Sequence, residues 1–557
     1  MNTKKILTAF FAGAALVCAM SVNAFAAEAV GTYAELSEPL KNGQDVKLSS
    51  NITTDSALNV SGKSVTVDLD KHTLKIGTGD NKFTDGSNIT FKNGTINING
   101  TVCNGNGIFC IDEYEKEVTT TLTLESVNLV GKDYSSAYGV FYIGPCGVLN
   151  INGGTITLEN DLAAYDDGSP SGGVFKADSA GATLNIYNGA VLNLTDVDKG
   201  VTHCTTTIKD STVTIKGTDS AKLEHGFNRS ALTITNSNIG ISGGSGRGIT
   251  AENGNVTIDG TSTVVIANMN EATIELRGDK SLTIGEYANV SIDQPIKNTT
   301  SGSVSGTVTT VNLSGEGTSD APYLINSLEE LKLFTSCVNT GIYNGTYVYV
   351  QLTNDIDLKQ MDWTPIGTAT YAFQGSFDGN GKTISNLYLL GNNDYTGFFG
   401  LLGNNPEKPA VVKDLTIDGV TGSNLGSRDD SNGAYAYCGA LAGHTYTAKM
   451  TNVIVKNAEI TANYVTYIGG LVGHGYSTMV NCGFEGNVNA NGCTQVGGLQ
   501  GSCMINATDC YVKGTISGAY PVGGIIGMSQ NESGVSIKGC YVEGKVEATA
   551  TWQILLL

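Results

Sequence analysis

Ile468-Gly-Gly-Leu-Val-Gly473 and four variants of the same phrase decide the fold of this chain. The others read Thr396-Gly-Phe-Phe-Gly400, Cys438-Gly-Ala-Leu-Ala-Gly443, Val496-Gly-Gly-Leu-Gln-Gly501 and Val522-Gly-Gly-Ile-Ile-Gly527, and the last glycines of the five lie 43, 30, 28 and 26 residues apart. Repetition at roughly 20 to 50 residues marks stacked units, each with an apolar face that only the next unit buries. A second motif follows each phrase: Asp414-Leu-Thr-Ile, Asn452-Val-Ile-Val, Asn481-Cys-Gly-Phe, Asp509-Cys-Tyr-Val and Gly539-Cys-Tyr-Val. Apolar residues at i and i+2 give the period of a strand with one face inside. Leu415, Val453, Cys482, Cys510 and Cys540 are therefore expected in one inner column. The phrase glycines are expected at tight corners with positive φ. Long helical stripes are absent, so the fold class is all-β, a β-solenoid.

The Gly-Gly-Leu-Val-Gly phrase with Asn-Cys-x-x-x-Gly behind it resembles the GLUG repeat of bacterial secreted and surface proteins. Pro322-Tyr-Leu-Ile325, Leu352-Thr-Asn-Asp-Ile-Asp-Leu358, Trp363-Thr-Pro-Ile-Gly367 and Phe377-Asp-Gly-Asn-Gly-Lys-Thr-Ile-Ser-Asn-Leu387 resemble the segment that leads into such repeats. The resemblance covers roughly residues 317 to 547. It implies a right-handed parallel β-helix at a cell surface. It implies no activity, because these repeats occur in adhesin-like proteins and beside metalloprotease domains alike.

The first half spells the same physics differently. Leu149-Asn-Ile151 with Ile156-Thr-Leu158, Leu184-Asn-Ile186 with Leu192-Asn-Leu194, and Leu232-Thr-Ile234 with Ile239-Gly-Ile241 are paired alternating strands. Isoleucines at 151, 186, 208, 234, 258 and 284 mark the coils, which suit two or three short strands with Asn, Gly and Ser at the corners. This half broadly resembles pectate-lyase-like β-helices. Val65 to Leu74 echoes Phe377 to Leu387, as though each half opens with a similar coil.

Domain organisation follows. Lys4 and Lys5, an apolar run to Met20, and Ala24-Phe-Ala26 read as a secretory signal peptide over 1–27 rather than a membrane anchor. A β-helix is expected over 28–300, a Thr/Ser/Gly-rich seam over 301–320, and the GLUG-type solenoid over 321–557. At about 26 residues per coil and about 4.8 Å per rung, one rod would reach on the order of 100 Å. Glu329 to Phe334 is the one convincing helix, with Leu328, Leu331 and Phe334 on a common face able to cap the second stack. The apolar tail 548–557 is read as the mark of a truncated or frame-shifted chain, or as a cover on the last coil.

Charge narrows the function classes. Formal net charge is -20, which disfavours nucleic acid and anionic membranes as partners. The twelve cysteines include Cys18 in the leader; Cys482, Cys510 and Cys540 share one slot, as Cys438 does with Ile468, so a core thiol ladder is expected. Cys103 with Cys110, or Cys493 with Cys503, are close enough in sequence to bridge.

The five histidines form no His-Glu-x-x-His helix, and no paired CxxC spacing supports zinc. His444 and His474 take one slot in neighbouring units and are expected to stack as a corner ladder. Asp378-Gly-Asn-Gly381 suits a corner better than a calcium loop. No catalytic residue, metal site or cofactor is assigned. Asp166, Asp167, Asp210, Arg229 and Arg247 are the charged groups a carbohydrate-active β-helix, a polysaccharide lyase or glycoside hydrolase, would draw on, although nothing in the spacing aligns them. Tyr395, Tyr437, Tyr467, Tyr511 and Tyr541 alternate with inward residues and are expected outside, either shielding the sheet or offering aromatic faces to sugars and proteins. The expected function is a secreted or surface-displayed adhesin-like or structural stalk that contacts glycans or host proteins, with no transmembrane segment in the mature chain.

Overall fold

Ile151, Ile186, Ile208, Ile234, Ile258 and Ile284 pair in register across successive parallel strands, and all six are buried. The computed structural model describes residues 27–549 apart from 78, 104–106, 113–117, 137, 160–172, 178–180, 219–222, 295, 300, 311–312, 391–393, 426–435, 464, 491 and 530–534. The expected leader up to residue 26, the apolar tail from residue 550, Asp166 and Asp167 lie outside the described residues. Among the described residues no helix is long and apolar enough to cross a membrane.

Each coil of the first stack has three short strands, and each strand lies parallel to its counterpart one coil away. Two faces carry the alternating strands read from the sequence, such as Thr183–Tyr187 and Val191–Thr195. The third face consists of two- to five-residue strands such as Phe109–Ile111, Phe141–Ile143 and Phe175–Ala177. On that face Phe109, Phe141 and Phe175 pair in register, with ring centroids 5.2 and 5.3 Å apart. One continuous core runs from Val30 to Ile292.

The second stack obeys the column read from its repeats. Leu415 pairs with Val453, and Val453, Cys482 and Cys510 follow in the same internal line. The Cys482 amide donates to Cys510 Sγ and the Cys510 amide to Cys540 Sγ, both at 3.4 Å. Cys438 lines up with Ile468, Val496 and Val522. Cys103, Cys110, Cys493 and Cys503 are free thiols, so the two short bridges entertained above do not form. Burial pushes Cys204 and Cys337 up to about 12, holding these thiols protonated and unreactive.

The corner chemistry differs from expectation. Gly469 and Gly497 do not occupy the left-handed region. A Cβ on Gly469 would meet the Val472 carbonyl oxygen at 2.1 Å, and one on Gly497 would meet that of Gln500 at 1.9 Å. Those contacts lie within the phrase, where the chain turns; between coils, a Cβ on Gly470 would meet the Gly498 carbonyl oxygen at 2.2 Å and one on Gly498 that of Gly524 at 2.0 Å, so these glycines admit close coil approach. Positive φ falls instead on Asp414, Asn452, Asn481 and Asp509, at 52 to 54°. Their short polar side chains tolerate that region and link the corners, Asn452 Nδ2 donating to Asp414 Oδ1 at 2.7 Å. Asp378 likewise sits at a corner, with Lys413 Nζ 2.8 Å away.

Among the described residues two helices, not one, belong to the fold. Helix α1 (Tyr33–Asn42) opens the first stack and α2 (Leu328–Asn339) the second. Thr32 and Glu35 form a reciprocal capping box on α1. Ser327 accepts from the Glu330 amide while Glu330 Oε2 accepts from the Asn326 amide, a similar arrangement on α2. Leu36 and Leu40 of α1 enter the first core; Leu328, Leu331 and Phe334 of α2 enter the second, as their shared face requires. The likeness extends further: Asn51 Oδ1 accepts from the Thr73 amide, and Asp355 Oδ1 from the Thr383 amide, each at 2.8 Å.

The opposite face of α2 makes the stacks lie side by side, so the single long rod expected from coil count does not form. Leu333, Cys337 and Ile342 pack against Val265, on the flank of the first stack. Tyr371 Oη lies 3.0 Å from Thr214 Oγ1. Asn193, Thr214, Gly240, Val265 and Ser291 form one outward column in register, and the second stack covers its middle. Glycine is required at 240 because a Cβ there would stand 2.7 Å from the Thr340 carbonyl oxygen. Gly240→Val is expected to part the two stacks while each keeps its own core. Small-angle scattering should show a larger radius of gyration, with new proteolytic cleavage between residues 301 and 320. An unchanged scattering profile would contradict this contact.

Candidate functional site

The phrase glycines that allow close coil approach also bring outward tyrosines ring to ring. Tyr395, Tyr437 and Tyr467 each precede an inward residue, alternation turns them outward, and in-register pairing stacks them. Centroids lie 5.2 and 5.1 Å apart with planes 6° and 7° from parallel. All three are half-buried. The rings cover one another's faces, so the ladder presents part of its edge rather than open faces. His444 and His474 pair on the next strand, 5.1 Å apart, and meet the ladder at Tyr437 and Tyr467. His444 Nδ1 is buried with no hydrogen-bond partner. Burial, with a smaller contribution from His474, pushes the His444 imidazole down to about 4, and burial alone lowers His474. The pair is therefore neutral at neutral pH. Tyr511 and Tyr541 form a separate stack at 5.6 Å, Tyr511 Oη donating to Glu485 Oε1 at 2.7 Å, and Tyr541 is 50% exposed. The five tyrosines singled out from the sequence thus fall into two ladders.

A second cluster lies on the third face of the first stack, where sequence reading noted only Arg229 and Arg247. The structure brings these two together through Arg277 and the carboxylates between them. Glu252 Oε2 meets Arg229 Nε at 3.0 Å and Arg277 Nη1 at 2.7 Å. Glu275, 2% exposed, meets Arg247 Nε at 2.7 Å, Arg277 Nη2 at 2.9 Å and Lys297 Nζ at 3.1 Å. Burial alone would raise the Glu275 pKa, but Lys297, Arg247 and Arg277 outweigh it and hold the carboxylate below its ordinary range. Arg247 also contacts Glu271. One coil earlier, Lys199 Nζ bridges Glu224 at 2.8 Å and Asp198 at 3.3 Å. Hydrogen bonding from His225 above all, then Lys199, pulls Glu224 down to about 2, whereas burial raises Asp198. Five cations, Lys199, Arg229, Arg247, Arg277 and Lys297, thus face five carboxylates, Asp198, Glu224, Glu252, Glu271 and Glu275. Asp210 lies elsewhere, at a corner where Asn236 donates to it.

Opposed shifts on neighbouring carboxylates are what acid–base chemistry uses. Here each of the two is already engaged by Lys199. Among the described residues no group of three or more His, Cys, Asp or Glu is placed to hold a metal ion. The strip escaped sequence reading because its members occupy different offsets on coils 22 to 26 residues apart.

No family model matches the chain. It is 33% identical over 139 residues to a candidate Gly-rich membrane protein of Evansella cellulosilytica, 24% of this chain and 14% of that protein. It is 31% identical over 238 residues to halomucin of Haloquadratum walsbyi, 40% of this chain and 2% of that protein. The chain therefore spans a small part of the length of these relatives. Among solved structures, a candidate immunoglobulin A1 protease from Bacteroides ovatus aligns with 41% of this chain and 77% of its own at 20% identity, TM-score 0.28. The PL6-family alginate lyase AlyGC aligns with 96% of this chain and 100% of its own at 10% identity, TM-score 0.19. Neither alignment bears on activity.

Proposed function

We propose that this chain is a secreted or cell-surface β-solenoid of the GLUG-repeat kind, an adhesin-like or structural stalk that contacts glycans or host proteins through its outer faces. The observation that carries the reading is the in-register aromatic ladder Tyr395–Tyr437–Tyr467 on the outside of the second stack, set against charged groups elsewhere that neutralise one another. Repeated aromatic rings with polar edges suit attachment, whereas catalysis needs an uncommitted acid, base or nucleophile. The names of the two relatives, a membrane protein and a halomucin, agree with a place at the cell surface. A glycan and extracellular-protein array with the mature chain tests this. Retention on at least one class, weakened in Tyr437→Ala/Tyr467→Ala, is the expected outcome. Silence across the array would remove attachment as the function.

The opposed carboxylates Asp198 and Glu224 favour a second reading, a carbohydrate-active β-helix. Its test is incubation with uronate-containing and neutral polysaccharides, following unsaturated product by ultraviolet absorbance and new reducing ends. Product formation by the parent that disappears in Glu224→Gln would establish it, and absence of product eliminates it.

A further inference from the structure

Tyr349, Ser376, Val411, Lys449, Thr478 and Asn506 form an outward column in register across six consecutive strands of the second stack. Five steps of about 4.8 Å make this floor about 24 Å long. Two depressions lie along it. One of about 300 Å³ is lined by Tyr347, Gln374, Asn404, Asn405 and Lys408; the other, of about 250 Å³, by Pro409, Lys449, Tyr476, Thr478 and Asn506. They adjoin at the 404–409 segment: Tyr347 Oη donates to the Pro409 carbonyl at 3.1 Å, and Thr447 Oγ1 to that of Asn405 at 3.0 Å. The 404–409 segment stands between them, so the two depressions form an interrupted groove along the rod axis, with Lys449, Thr478 and Asn506 of the column lining its second part.

Tyr476 and Tyr347 line it, and Tyr446 stands exposed beside Thr447 at its rim, rings that differ from the self-stacked ladder. Tyr446 and Tyr476 are 49% and 43% exposed, on neighbouring coils immediately after the Thr445–Gly475 pair. At the other end Tyr347 sits edge-on to Tyr349 and beneath the Lys408 ammonium, 3.9 Å from its ring centre. Between the rings stand amides and hydroxyls: Gln374, Asn404, Asn506 and Thr478. Flat apolar rings spaced among neutral donors and acceptors match a pyranose chain, whose C–H faces are apolar and whose rim is hydroxylated. The rung spacing is close to the length of one sugar residue, so successive coils meet successive sugars.

We infer that this groove binds an extended neutral glycan, several hexopyranose units lying parallel to the solenoid axis. The inference rests on the attachment reading above and adds to the tyrosine ladder a second site with a stated ligand class. A neutral polymer is favoured because the two depressions hold only two lysines among the described residues, Lys408 and Lys449, on a chain of formal charge -20 that repels polyanions at long range.

Affinity electrophoresis of the full chain in gels containing barley β-glucan, xylan or polygalacturonate tests it. The parent should be retarded by a neutral polymer, and Tyr446→Ala/Tyr476→Ala should weaken that retardation about ten-fold. Thr478→Arg, which fills the groove from an outward position, should act alike, with melting temperatures unchanged in both variants. A parent retarded by a neutral glycan whose groove variants match it overturns the site and leaves attachment standing. Retardation by polygalacturonate alone, lost in the variants, overturns the neutral class. A parent retarded by no polymer overturns the inference together with glycan attachment.

Discussion

Phe141→Ala is expected to destabilise the first stack by about 3 to 5 kcal/mol. Phe141 is fully buried between Phe109 and Phe175, with rings 5.2 and 5.3 Å away. Truncation removes both ring contacts and leaves a void that neighbours cannot fill, because the rung spacing is held by backbone hydrogen bonds above and below. In a solenoid each coil is stabilised by its two neighbours, so the loss concentrates in coils 109–111, 141–143 and 175–177. Urea unfolding followed by hydrogen exchange should show these strands opening early. In a Trp552→Phe background, fluorescence of Trp363, which lies in the second core, should keep its own midpoint. Phe141→Leu should cost less, under about 1.5 kcal/mol if the site repacks. Equal exchange in parent and Phe141→Ala would refute the stacked column as a source of stability.

Acidification should weaken the second stack through His444. Its imidazole titrates at about 4 in the fold against an ordinary 6.5, because burial opposes the cation. The unfolded chain therefore binds this proton first. Stability from this group is complete above about pH 6.5 and is lost as pH falls toward and through about 4. A shift of this size corresponds to about 3 kcal/mol, and the lowered His474 adds in the same direction. His444→Phe keeps an aromatic ring beside Tyr437 and removes the proton site. Denaturant midpoints read by Trp363 at neutral and mildly acid pH should fall more steeply for the parent than for the variant. Parallel pH profiles would show that the His444 environment does not oppose charge. Carboxylates elsewhere titrate in both proteins and cancel in the comparison.

Alternation carried most of the fold. Leu149-Asn-Ile151 and Asn452-Val-Ile-Val place apolar groups at i and i+2, and the same letters recur at coil spacing, so the inner columns could be read directly. The third face of the first stack was illegible because strands such as Phe109–Ile111 are too short to show a period. Helix α1 was missed because Pro39 interrupts its pattern, although Thr32 and Glu35 bear a capping-box signature. The phrase glycines were recognised but their reason was not, since close approach between coils appears only once neighbours are in place.

The candidate sites were partly legible for the same reason. Tyr437 and Tyr467 follow from alternation, and the His444–His474 stack from shared position. Tyr446 and Tyr476 escaped notice because the register shifts between Thr445 and Ala448, which breaks the simple count. The charged strip joins residues that no sequence period connects, since salt bridges between coils depend on side-chain reach rather than on spacing.

The paired helical caps give the chain two places from which to begin folding. A coil-by-coil solenoid needs a nucleus, and a capped helix laid across the first rungs is local enough to form early, ahead of any distant pairing. With α1 before one core and α2 before the other, the amino-terminal stack can complete itself while the rest is still being synthesised. Its flank at Thr214, Gly240 and Val265 then becomes the template against which the later half comes to rest.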